Sequence, residues 1–135
     1  MKFKKPEIEA ELISAPVFLI MMAEMFDLES KEKFGQEGIV TRILEPVQGE
    51  SGVHTDHRAI DFRNEFEGGR LYTDEQVKYL VEFMNNQFPR NDGKVTCIHH
   101  SFAGGPHHFH IQLAILTKTY GPSVQSKTPA PLTQG

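Results

Sequence analysis

The chain is short of the residues that mark several common protein classes. It has one cysteine, Cys97, and no tryptophan. A single cysteine excludes an intrachain disulfide and a closed site of several thiolates, and it suits a reducing compartment. No long apolar run exists. The most hydrophobic stretch, APVFLIMMA at 15–23, is under half of the roughly 20 residues that a bilayer-spanning helix needs. Glu7, Glu9 and Glu11 separate it from the basic start, which does not fit a signal peptide. The expectation is therefore no membrane partner and a chain made in the cytoplasm without export machinery. Concentrated positive charge is also missing. KFKK at 2–5 is the one basic run, acids follow it at once, and the formal net charge is −4. Nucleic acid is not an expected partner. With 135 residues and no internal repeat, the chain suits one domain with one core, expected to be a monomer.

What is present is a coarse pattern of helices and strands. Ser14 can cap a helix with Pro16 in its first turn, running toward Leu28 and apolar on most sides. Residues 39–44, 58–62, 95–100 and 107–116 read as strands. Thr73 and Gln76 form a capping box ahead of Val77, Leu80, Val81 and Met84 at helical spacing. Residues 1–13 are charged and read as peripheral. After residue 117 little remains that could be buried, so 118–135 reads as a tail and 1–117 as the domain. The order implies an α+β fold, a small antiparallel sheet with two main helices.

Histidine is the anomaly. All seven lie between 54 and 110, and five of them fall within 99–110. Clustered imidazoles are a common route to a bound transition metal. Side chains two apart on a strand share a face, so His108 and His110 project together. Asp61 projects from a neighbouring strand, and the loop holding His54 is long enough to return beside it. An inward Asp between Ile60 and Phe62 is costly unless a positive group meets it. Two imidazoles and one carboxylate suit Zn2+ with one coordination position left for water. Incidental histidines with no metal role are the bland alternative.

HTDHRAID, 54–61, resembles the His-x-x-Gly-Arg-Ala-x-Asp motif of zinc D-Ala-D-Ala carboxypeptidases and their phage endolysin relatives, which share the hedgehog/DD-peptidase fold. HFHIQ, 108–112, is similar to the family's second motif, His-x-His. The resemblance spans about residues 39–115. It implies His54, Asp61 and His110 as zinc ligands, His108 as a transition-state group beside the metal, and Arg58 as a contact for a substrate carboxylate or a support of the site. The implied reaction is hydrolysis of a peptidoglycan stem peptide, at D-Ala-D-Ala or L-Ala-D-Glu, by an enzyme cytoplasmic before release or phage-associated. Three positions depart from the family. His57 stands where the motif has Gly. Gly52, with Ser51 before it, stands where the family has Ser. The family's catalytic Glu has no counterpart, and His107, His100, Asp56 and Glu50 are the candidates to replace it. A catalytically inactive zinc-binding member is the alternative expectation.

Overall fold

The amphipathic signal nearest the start is hidden among charges. Pro6 fixes the first helical φ, Glu7 and Glu9 sit in the first turn, and Ile8 and Leu12, one turn apart, are buried. This is helix α1, Pro6–Ile13, preceded by strand β1, Lys2–Phe3. Residues 1–13 are thus structured, not peripheral. Ser14 ends α1 instead of starting the next helix: its N–H and hydroxyl both donate to the Ala10 carbonyl. Helix α2, Val17–Phe34, starts after Pro16 without a side-chain cap and stops at Gly35, whose φ of 67° suits a residue with no Cβ.

The computed structural model describes residues 1–47, 52–102 and 104–121. Strands β2 (Ile39–Arg42), β3 (Ala59–Arg63), β6 (Cys97–His100) and β7 (His108–Gln112) build the sheet with β1, in the order β1-β2-β3-β7-β6. β4 (Glu65–Phe66) and β5 (Gly69–Arg70) form a small hairpin, and α3 (Asp74–Gln87) follows it. The fold is α+β, as expected, but with three α-helices instead of two. The sheet is mixed, because β1 pairs parallel to β2 while the other neighbours are antiparallel. None of the described helices is long and apolar enough to cross a membrane.

One sheet face is the core. Ile60, Phe62, Phe109 and Ile111 are fully buried there, against Leu19, Met22 and Phe26 of α2. Phe26 stacks on Phe62 at 4.2 Å and meets Phe109 edge-on at 4.9 Å. Each buried aromatic of this kind contributes about 2–3 kcal/mol of transfer free energy. α3 carries the capping box expected of Thr73 and Gln76, and buries Leu80 and Met84. Gly38 is required where it stands, since a Cβ would lie 2.8 Å from the Phe62 ring. Residues 118–121, assigned to the tail from sequence, pack on the domain: the Tyr120 ring meets Phe18 at 4.9 Å, and Gly121 N–H donates to the Pro89 carbonyl. Residues 122–135 lie outside the described residues, as do Glu50 and Ser51.

Candidate metal centre

The other sheet face carries the chemistry. Residues directly opposite in an antiparallel pair share a face. Asp61 lies opposite His110, Arg63 opposite His108, Ile98 opposite His110 and His100 opposite His108. Alternation therefore puts Asp61, His100, His108 and His110 on one side, and the core aromatics on the other. A bulge adds a member. Between Val40 and Arg42 the register of β2 shifts by one residue, so that Arg42, not Thr41, faces Asp61. The Arg42 Nε lies 3.6 Å from Asp61 Oδ2.

His54 arrives from a tight turn. Asp56 N–H donates to Gly52 O, His57 N–H to His54 O, and Arg58 N–H to Val53 O. The turn needs a left-handed residue, and His57 supplies it at φ 61°. This is the position where the resembled motif has Gly, the residue for which that conformation costs least. The His57 Nε2 donates to Glu11 O of α1 at 2.8 Å, fastening the turn to the helix. Arg58 is turned away from Asp61. Its Nη1 donates to Leu113 O at 3.0 Å, and its Nη2 lies 3.4 Å from Asp56 Oδ2.

His54, Asp61 and His110 are 1%, 2% and 5% exposed, and one potential ligand atom from each lies within 4.8 Å of the others. This buried group could hold a metal ion. Its hydrogen bonds fit that use. The Ile43 carbonyl, 2.8 Å from His54 Nδ1, can only accept, so Nδ1 carries the proton. Nε2 then turns its lone pair toward Asp61 Oδ2, 3.4 Å away. A lone pair facing a carboxylate calls for a second proton or a cation between them. A ligating histidine is commonly oriented in this way, by donating its other N–H to a carbonyl. His108 repeats the pattern: Nδ1 lies 3.0 Å from Pro106 O, and Nε2 lies 3.5 Å from Asp61 Oδ2. His110 Nδ1 meets Asp61 Oδ1 at 2.9 Å, and its Nε2 lies 3.1 Å from the Gln112 amide oxygen. Burial alone would raise the Asp61 pKa. The hydrogen bond from His110, with the nearby His54 and His108 rings, outweighs it and holds the carboxyl well below the usual range.

Two further histidines separate by face. The His100 ring lies 4.7 Å from His108 and 5.4 Å from His110, above the centre. His107 is not at the centre. It stacks on His99 at 5.6 Å, and its Nδ1 and backbone N–H both bind Glu65 Oε1. His99 also lies over Phe109, on the core side. Asp56, 63% exposed, is spent on Arg58. Arg42, Gln112 and Glu65 were not singled out by the sequence. Only Gln112 had a signal, since it shares the His108/His110 face.

Asp61 and His108 open into a cleft of about 310 Å³, walled by Arg42, Arg63, Glu65 and the rings of Phe66 and Phe102. His108, 18% exposed, is more accessible than the three buried residues behind it. Comparison of the chain with family models, with curated proteins and with solved structures found no match.

Proposed function

We propose that the chain is a zinc-dependent peptidase that cleaves a peptide bond in peptidoglycan stem peptides, with the hedgehog/DD-peptidase type of fold. The observation that carries the proposal is the buried His54, Asp61 and His110 group beneath an open cleft, with His108 at the cleft wall. The sequence likeness of HTDHRAID and HFHIQ supplies the reaction class. The residues fit zinc: two imidazoles and one carboxylate are a common catalytic donor set, and the His54 Nδ1–H is committed to a carbonyl. Bound there, zinc supplies Lewis acidity toward a peptide carbonyl and lowers the pKa of a water.

The chain's own groups do the rest. His54, Asp61 and His110 bind and orient. His108 lines the cleft with its Nε2 3.5 Å from Asp61 Oδ2, where the ring can take up a proton and, so charged, donate to oxyanion charge. His100, ring to ring with His108, is the second proton-handling group of this proposal. Arg42 and Arg63 in the cleft wall suit the carboxylates of a stem peptide. Arg58 supports the turn through Leu113 O and does not reach the cleft.

A second reading, a non-catalytic member that holds zinc, is favoured by one observation. Among the described residues the cleft's carboxylates are Asp61 and Glu65, and Glu65 accepts from both the backbone and ring N–H of His107. The experiment is hydrolysis of purified peptidoglycan and synthetic stem peptides by zinc-loaded protein, before and after chelation. Activity lost on chelation and restored by zinc supports the peptidase. Stoichiometric zinc without hydrolysis supports the second reading.

A further inference from the structure

The register shift in β2 brings a permanent charge to the candidate centre. Val40 lies opposite Phe62, and regular pairing would put Arg42 opposite Ile60, on the core face. The bulge sets it opposite Asp61 instead, with its Nε 3.6 Å from Asp61 Oδ2. The same oxygen lies 3.4 Å from His54 Nε2 and 3.5 Å from His108 Nε2. Those rings are charged only when protonated, whereas a guanidinium is always charged. Among the described residues, Arg42 is the one Lys or Arg paired with Asp61. The far end of its side chain is held as well. Nη1 donates to the carbonyls of Glu45 and Pro46, at 3.3 and 3.1 Å, and lies 3.6 Å from Glu45 Oε1. The next residue, Ile43, accepts from His54 Nδ1. One short segment thus touches two of the three candidate donors. Arg42 and Asp61 also line the same cleft, so a cation that reaches the acid from there arrives beside the guanidinium.

We propose that Arg42 is a positioning residue that tunes the affinity of the centre for its metal, by competing with the ion for Asp61 Oδ2. It neutralises a carboxylate that is only 2% exposed. A divalent ion on that carboxylate meets a fixed positive charge close by, and the repulsion lowers its affinity. The inference rests on the reading of His54, Asp61 and His110 as metal donors, and not on the centre being hydrolytic.

The test is competition for zinc between a chromophoric chelator and the full chain, as wild type, Arg42→Gln and Arg42→Lys. Gln removes the charge, and Lys keeps it without the fork that grips the loop. Arg42→Gln binds zinc about 10-fold tighter than wild type, and Arg42→Lys stays within about 3-fold of wild type. Freed of metal, Arg42→Gln melts at a lower temperature than wild type, and the same zinc concentration raises its melting temperature further. In the wild-type chain the Arg42 Nε–H signal shifts in NMR spectra as zinc is added, a measurement that stands should Arg42→Gln fail to fold. An equal change of affinity in both variants, as a clamp that only holds the loop would give, overturns the proposal. So does zinc bound by Arg42→Gln no tighter than by wild type, or an Arg42 signal unmoved at one zinc per chain. Absence of zinc binding in all three chains overturns the metal centre itself, whereas equal binding overturns only the role of Arg42.

Discussion

The two faces of one sheet use the same residue type for opposite ends. On one face His54, His100, His108 and His110 gather around the buried Asp61 carboxylate. Elsewhere His57, His99 and His107 clamp neighbouring elements: His57 to α1, His99 to Asn64, and His107 to Glu65. What separates the two sets is the company of a buried acid, which strand parity and one loop decide. His54, His108 and His110 each bring a ring nitrogen to within 3.5 Å of the Asp61 carboxylate, whereas His57, His99 and His107 bond to groups away from it.

The sharpest way to break that contrast is to remove the acid. Asp61→Ala, like His54→Ala or His110→Ala, takes zinc from about one per chain to near none, read by elemental analysis after dialysis. Stoichiometric zinc in Asp61→Ala means the wrong donors were chosen. Next comes the cleft wall. His108→Ala keeps its zinc and lowers turnover about 10²-fold, while His107→Ala leaves turnover unchanged. A large fall for His107→Ala, or wild-type turnover for His108→Ala, erases the distinction between the faces. His100→Gln falls between them, about 10-fold slower with zinc retained.

The sheet's other side has its own pH signature. Tyr72 N–H binds Asn64 Oδ1, so the Asn64 amide N–H must donate to His99 Nε2, which holds that nitrogen unprotonated. Burial, then the nearby His107, pushes the His99 pKa down from 6.5 to about 4. As pH falls below 6.5 the unfolded chain takes up this proton first. The contribution to stability is complete above that value and is lost as pH falls through 4. Melting temperature against pH therefore falls less steeply for His99→Gln than for wild type between pH 6.5 and 4, and identical slopes would contradict this assignment. The smallest effect is at the turn. His57→Gly relieves a left-handed backbone but deletes the bond to Glu11 O, and the net change in stability stays within about 1 kcal/mol. A loss of several kcal/mol would show that His57 does more than close the turn.

Much of this division was legible in the sequence. Period-two alternation put Asp61 on one face of its strand and His108 with His110 on one face of theirs, and Thr73 with Gln76 announced α3. The part that stayed hidden has physical causes. α1 was missed because its apolar positions, Ile8 and Leu12, are two among many charges. The parallel pairing of β1 leaves no local pattern in two residues. The bulge that delivers Arg42 depends on pairing with β3, which lies far along the chain. His107 sits one residue outside β7, where alternation no longer governs direction, and its place is set by Glu65.

The pairing of Asp61 with His110 has a further consequence. The same strands seat Phe62 and Phe109 against α2, so an insertion or deletion of one residue within β7 would expose the aromatics and bury the acid-binding rings in oil. Chemistry and cohesion share one reading frame here. Errors of alignment that would scatter the donors are rejected during folding by the greasy side of the sheet, with no separate device needed to enforce the geometry.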